Sequence, residues 1–184
     1  MAGLEDLYRE IILDHYRNPR NRGELPVPPA HRTEGFNPLC GDEIVVYLSV
    51  TDGIVEDLRI GGQGCSISQS SASMMSAAVK GKTTAEARRT IATFKSMMSI
   101  HESTLDTSAG LASDPEIPEG VSSEDSGLDE DPSDELRPPS EAELTALGDL
   151  AALQGVVKFP VRIKCATLSW NTLAQGLDEI ATSA

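Results

Sequence analysis

Hydrophobic residues near the start of the chain recur at helical spacing. The pattern i, i+3, i+4, i+7, i+8 is filled by Leu4, Leu7, Tyr8, Ile11 and Ile12. This spacing places them on one face and predicts an amphipathic helix over residues 4–17. The helix is expected to end at Asn18-Pro19, because the residue before a proline avoids helical geometry. Three further prolines between residues 26 and 29 indicate an extended connector.

A change to β-type patterning follows the connector. Residues 43–50 are rich in β-branched side chains, and residues 54–60 alternate between apolar and polar positions. Between them, Asp52-Gly53 supplies two residues that tolerate positive φ in a tight turn. We therefore predict two antiparallel strands joined as a hairpin.

Helical patterning returns after a glycine-rich bend at residues 61–64. Small residues without proline predict a helix over 66–79, and apolar spacing predicts a second helix over 84–98. Further along, Ser140 and Glu143 fit a capping box ahead of a leucine stripe, which Phe159-Pro160 ends. A last helix is predicted over 166–180. The pattern is that of an α+β fold, with a small antiparallel sheet packed against helices.

The acidity of the chain is concentrated in one segment. The formal net charge is −14, and 14 of the 29 acidic residues lie between Glu102 and Glu143 with a single basic residue. Prolines, serines and glycines also dominate residues 102–139, and such a composition buries too little apolar surface to fold. We predict a disordered acidic insert over 102–139 within a single domain formed by residues 1–101 and 140–184.

Composition and charge exclude several classes of partner. The chain has no concentrated basic face for phosphate binding, so nucleic acid is not an expected partner. No stretch reaches the ~20 apolar residues needed to cross a bilayer, and the first residues lack a secretory signal pattern. We therefore expect a cytoplasmic protein without a membrane partner. The three cysteines, an odd number, argue against a disulfide framework.

Each cysteine stands at the boundary of a predicted element. Cys40-Gly41-Asp42 precedes the first strand, and Cys65 follows the second strand behind the glycine-rich bend. In an antiparallel hairpin, the start of one strand and the end of the other share one sheet edge, so Cys40, Asp42 and Cys65 are expected to meet. Cys165 joins them if the last helix packs at the same edge. Cys65 and Cys165 both precede predicted helices, whose N-terminal dipole favours the thiolate form.

Three thiolates and one carboxylate suit two kinds of metal centre. They form a tetrahedral donor set for zinc, and they could instead hold an iron–sulfur cluster. Asp42 is a weaker ligand than a thiolate, which favours a site that opens. The simpler alternatives are cysteines that act as small buried hydrophobes and a structural zinc site, which usually shows paired Cys-x-x-Cys hooks. His15, His31 and His101 fit no ligand pattern.

The three cysteine motifs resemble one protein family. They are Asn37-Pro38-Leu39-Cys40-Gly41-Asp42, Gly62-Gln63-Gly64-Cys65-Ser66-Ile67-Ser68, and Phe159-Pro160-Val161-Arg162-Ile163-Lys164-Cys165-Ala166-Thr167-Leu168. Together with residues 7–19 they resemble the SufU branch of the IscU/NifU-like scaffold proteins. The cluster-scaffold branch has a histidine directly before the last cysteine, where this chain has Lys164.

The resemblance implies a SufE/IscU-like fold with zinc held by Cys40, Asp42, Cys65 and Cys165. It implies a zinc-dependent sulfurtransferase whose Cys40 accepts persulfide sulfur from a SufS-type cysteine desulfurase, with Arg162 assisting at the contact. A downstream iron–sulfur scaffold would be a further partner. The alternative within the same family is a scaffold that holds a transient [2Fe–2S] cluster, which would bind rather than catalyse. The acidic insert is not part of the family pattern.

Overall fold

Along the chain, one helix is followed by three consecutive strands and then by a run of helices. The computed structural model describes residues 2–99 and 140–183. In chain order the elements are α1 (Ala2–Arg17), β1 (His31–Asn37), β2 (Asp42–Thr51), β3 (Ile54–Gln63), α2 (Ser66–Val79), α3 (Thr84–Ser99), α4 (Glu141–Ala146), the 3-10 helix η1 (Gly148–Lys158) and α5 (Pro160–Ser183). The α+β prediction is confirmed. The predicted insert, residues 102–139, lies outside the described residues, and the division into domain and insert stays a prediction.

The sheet has three antiparallel strands in the order β1-β2-β3. The predicted hairpin between β2 and β3 is present, and its turn residues Asp52 and Gly53 both have positive φ, 51° and 75°. Strand β1 was not predicted, because its residues were assigned to the proline-rich connector. Its sequence carries little β propensity, and it forms because it pairs with β2 from His31↔Leu48 to Asn37↔Asp42.

The core lies between the inner face of the sheet and helices α2, α3 and α5. Strands β2 and β3 contribute buried aliphatic side chains to it, namely Ile44, Val46, Leu48, Leu58 and Ile60. Trp170 on α5 is fully buried and stacks on Phe94 of α3, with ring centroids 4.3 Å apart. Its indole N–H donates to Ser71 Oγ on α2 at 3.1 Å, so one side chain joins three helices. None of the helices in the described ranges combines the length and apolarity that a bilayer crossing demands.

Two helix boundaries differ from the sequence prediction. The capping box is present, since the Ser140 N–H donates to Glu143 Oε2 at 2.7 Å and the Glu143 N–H donates to Ser140 Oγ at 3.3 Å. The leucine stripe, however, does not form one helix. Helix α4 ends at Ala146, and Gly148, the first residue of η1, adopts a φ of 56°.

The last helix begins at Pro160 rather than at residue 166. The sequence prediction treated Pro160 only as a helix breaker. Proline also suits the first position of a helix, where its fixed φ fits and no N–H is needed. Cys165 consequently lies inside α5 and not at its N-terminus.

Helix α1 is attached to the rest of the molecule through a buried histidine. His15 Nδ1 lies 2.8 Å from Ser73 Oγ on α2, and Nε2 lies 3.2 Å from Asp149 Oδ2 on η1. A carboxylate only accepts, so Nε2 donates to Asp149. Of the predicted apolar face of α1, Ile11 and Ile12 pack against the core, whereas Leu7 is exposed.

Replacing His15 by alanine is expected to lower the free energy of unfolding by about 2–3 kcal/mol, because a buried ring and two of its hydrogen bonds are lost. The matched control is Asp149→Ala, which removes only the exposed partner and is expected to cost much less. Urea denaturation followed by circular dichroism measures both. Equal losses for the two variants would contradict a central role for the imidazole.

Candidate metal centre

The turn between β1 and β2 carries Cys40 and leads directly into Asp42. The turn is held by the Gly41 N–H, which donates to Asn37 O at 2.8 Å, and by the Leu39 N–H, which donates to Asn37 Oδ1 at 3.1 Å. Gly41 adopts a φ of 70°, a conformation that glycine enters without strain. Cys40 is exposed at the tip, while Asp42 begins β2 and is buried.

Cys65 is the N-cap residue of α2, as its predicted position before a helix requires. Its backbone is extended, with φ −68° and ψ 164°, and its sulfur accepts the Ser68 N–H at 3.4 Å. The Cys65 N–H donates to Asp42 Oδ1 at 2.8 Å, and Cys65 Sγ lies 3.6 Å from Asp42 Oδ2. The hairpin and the glycine-rich bend therefore bring Asp42 and Cys65 into contact.

Cys165 reaches the same place from α5. Its sulfur lies 3.3 Å from Cys40 Sγ and 3.9 Å from Asn37 Nδ2, and the residue is fully buried. Burial raises the pKa of the Cys165 thiol well above its ordinary value, and hydrogen bonds to Cys40 and Asp42 act in the same direction. The expectation of a dipole-stabilised thiolate at Cys165 is therefore wrong for the metal-free protein. A bound cation would reverse this balance by stabilising the deprotonated sulfur.

The donor atoms of Cys40, Asp42 and Cys165 all lie within 4.8 Å of one another. Cys65 lies beside this group through its contact with Asp42. Two sulfur ligands of a tetrahedral zinc at about 2.3 Å lie about 3.8 Å apart, and a sulfur and an oxygen ligand about 3.5 Å apart. The Cys65–Asp42 separation of 3.6 Å matches this spacing, and the Cys40–Cys165 separation of 3.3 Å needs only a small side-chain rotation. The group of Cys40, Asp42 and Cys165 could therefore hold a metal ion, with Cys65 placed beside it.

Two supporting features were not identified from the sequence. Gly64 leaves room for the Asp42 carboxylate, since a Cβ at that position would lie 2.5 Å from Asp42 Oδ1. Arg22 donates to Gly62 O at 2.9 Å and to Gln69 Oε1 at 3.3 Å, which fastens the glycine-rich bend to α2. The glycine directly before Cys65 was the sequence signal that could have identified the role of Gly64. No local sequence pattern indicates the role of Arg22, because its partners Gly62 and Gln69 are distant in sequence.

Exposed apolar side chains lie on the segments next to Cys40 and at the start of α5, the helix that carries Cys165. We name this set the apolar rim, and it comprises Phe36, Leu39, Phe159 and Val161, each at least 60% exposed. Arg162 and Lys164 are also exposed on the first turns of α5. The turn that carries Cys40 and the start of α5 thus present exposed apolar and basic side chains.

Comparison with known proteins places the chain in a family. The model of the NifU-like N-terminal domain matches residues 7–123. The zinc-dependent sulfurtransferase SufU of Bacillus subtilis (strain 168) is 40% identical over 176 residues, which cover 96% of this chain and 92% of that protein. The iron–sulfur cluster assembly scaffold protein IscU of Streptococcus pyogenes serotype M1 is 30% identical over 183 residues, covering 100% of this chain and 90% of that protein.

Solved structures agree at the level of the fold. The crystal structure of FiSufU from Fervidobacterium islandicum AW-1 aligns with a TM-score of 0.62 at 24% identity, covering 91% of this chain and 94% of that chain. A hypothetical protein solved at 2.3 Å resolution aligns with a TM-score of 0.66 at 29% identity, covering 94% of this chain and 98% of that chain. The chain belongs to the family of the NifU-like N-terminal domain.

Proposed function

We propose that this protein is a zinc-dependent sulfurtransferase that accepts persulfide sulfur on Cys40 for iron–sulfur cluster assembly. The observation that carries the proposal is the exposed sulfur of Cys40 in contact with a buried donor set of Asp42 and Cys165. The Bacillus subtilis relative, 40% identical over 96% of this chain, is named for the same activity. The donor of sulfur would be a SufS-type cysteine desulfurase in the cytoplasm, and the receiver a downstream iron–sulfur scaffold.

Zinc would be held by Cys40, Asp42, Cys65 and Cys165. Three thiolates and one carboxylate suit its preference for sulfur, nitrogen and oxygen donors in a tetrahedron. The bound ion would keep the sulfur ligands deprotonated at neutral pH. Asp42 and Cys65 support each other through two contacts, whereas Cys40 is the exposed member, so Cys40 is the ligand that an approaching protein can displace.

The transfer step requires that Cys40 be a solvent-exposed thiolate. Its sulfur attacks the outer sulfur of the donor persulfide, a new S–S bond forms, and the donor cysteine leaves as a thiolate. Asn37 holds the turn that presents Cys40. The apolar rim offers surface for a partner to bury, and Arg162, near Cys165 on α5, would assist at the same contact.

The test is the turnover of a SufS-type cysteine desulfurase with and without the zinc-loaded protein. Wild type is expected to raise turnover, and Cys40→Ala is expected to lose the whole stimulation, because no acceptor thiolate remains. Glu43→Ala changes an exposed residue beside the β1–β2 turn that carries Cys40. It is the control and should stimulate like wild type. Full stimulation by Cys40→Ala would refute Cys40 as the acceptor.

The alternative function is a scaffold for a transient [2Fe–2S] cluster. The Streptococcus pyogenes relative carries the scaffold name, and the same four residues would be the cluster ligands. Lys164, exposed beside Cys165, offers a cation where the scaffold branch has a histidine, which favours the transferase. Anaerobic reconstitution with iron and sulfide separates the two functions, since a stable visible chromophore that transfers to an apo acceptor would favour the scaffold.

A further inference from the structure

The contact between Cys40 and Cys165 joins an exposed sulfur to a fully buried one. Their sulfur atoms are 3.3 Å apart although 125 residues separate them in sequence. Cys40 lies on the β1–β2 turn and Cys165 inside α5. Asn37 holds that turn by accepting the Leu39 N–H and also contacts Cys165 Sγ. The pair is therefore fixed by the tertiary structure.

This separation falls in the range of about 3–3.5 Å in which reacting atoms are poised for attack. A sulfur that binds to Cys40 as a persulfide extends outward from the exposed Sγ. The inner sulfur, Cys40 Sγ, remains beside Cys165. A thiol adjacent to the inner sulfur of a persulfide can displace the outer sulfur.

We propose that Cys165 is a resolving thiol for the Cys40 persulfide, releasing the sulfur as hydrogen sulfide when no metal holds Cys165. The inference rests on the proposed function, because it requires that Cys40 carry a persulfide. It assigns a chemical role to Cys165 beyond ligation, and it gives metal binding a second purpose. Held as a ligand, Cys165 is not available to attack, so metal loading preserves the persulfide for its acceptor.

The step balances without an external oxidant. Cys165 Sγ attacks Cys40 Sγ, a Cys40–Cys165 disulfide forms, and the bond from Cys40 Sγ to the outer sulfur breaks. The outer sulfur is reduced and leaves as hydrosulfide, and Cys165 Sγ is oxidised from the thiol to the disulfide level. Cys40 Sγ keeps the oxidation level that it had in the persulfide. The proton that the Cys165 thiol gives up as it attacks goes to the leaving hydrosulfide. The product is hydrogen sulfide.

Cys65 is not arranged for the same attack. It belongs to the N-cap of α2, where its sulfur accepts the Ser68 N–H and contacts Asp42 Oδ2. In the described part of the chain, the group of donors within 4.8 Å of one another contains Cys40, Asp42 and Cys165, without Cys65. The disulfide is therefore expected to link Cys40 to Cys165 specifically.

The experiment uses the full chain, freed of metal by a chelator under anaerobic conditions and loaded with glutathione persulfide. Small thiols are then removed by gel filtration, and released sulfide and protein mass are followed with time. Wild type is expected to release sulfide and to accumulate a disulfide that peptide mapping assigns to Cys40 and Cys165. Cys165→Ser is expected to keep one extra sulfur on Cys40. Its rate of sulfide release is expected to be at most about one tenth of the wild-type rate.

Glu43→Ala is the matched control, because it changes an exposed residue beside the turn that carries Cys40 and retains all three cysteines. It should release sulfide like wild type. A persulfide as stable in wild type as in Cys165→Ser, or a disulfide mapped to Cys40 and Cys65, would overturn this inference alone. If Cys40 took up no sulfur in any variant, both this inference and the proposed function would fall.

Discussion

Replacing Gly64 by alanine is expected to lower the affinity for zinc about 10- to 100-fold, the usual effect of disturbing a residue that supports a metal ligand. The added Cβ would lie 2.5 Å from Asp42 Oδ1 and 3.0 Å from Asp42 Cγ. Asp42 is buried, and its Oδ1 accepts the Cys65 N–H. The carboxylate can make room only by leaving that hydrogen bond, which removes one proposed ligand and loosens the N-cap that holds another.

Gly61→Ala is the matched control for this prediction. It lies in the same glycine-rich segment, and its added Cβ would meet Val45 at 3.7 Å, an ordinary van der Waals contact. Competition with a chromophoric chelator measures the zinc affinity of both variants, and the control is expected to stay within about twofold of wild type. A Gly64→Ala protein with wild-type affinity would show that Asp42 is not a ligand or that the bend adapts freely.

Trp170→Ala is expected to lower the free energy of unfolding of the metal-free protein by about 3–5 kcal/mol. The side chain is fully buried, stacks on Phe94 at 4.3 Å and donates to Ser71 Oγ. Its removal leaves a cavity where α2, α3 and α5 meet. Ser71 would keep its own hydrogen bond to Ala166 O at 2.6 Å, so the cost arises mainly from packing.

Trp170→Phe separates the ring from the indole N–H. It retains an aromatic side chain against Phe94 and loses the hydrogen bond, so a smaller loss of about 1–2 kcal/mol is expected. Because Trp170 is the only tryptophan of the chain, urea transitions must be followed by circular dichroism rather than by intrinsic fluorescence. Similar free energies of unfolding for Trp170→Ala and wild type would show that the packing of Trp170 does not stabilise the core.

The sequence was most informative where structure depends on neighbouring residues. The Asp52-Gly53 turn, the N-cap position of Cys65 and the capping box of Ser140 and Glu143 all form as predicted. Each depends on a few adjacent residues and on backbone preferences that act over one turn. The same local logic gave wrong results at Pro160, because a proline is compatible both with the end of one helix and with the start of another.

The sequence alone was also sufficient to identify the cysteine motifs and the family that they resemble, because each motif is a short run of adjacent residues. Only the tertiary structure decided that β1 pairs with β2, that Cys165 is buried against Cys40, and that Gly64 leaves room for Asp42. These features depend on burial and on contacts between elements distant in sequence. The direction of the Cys165 pKa follows from that packing, because burial and the neighbouring Cys40 and Asp42 outweigh any helix dipole.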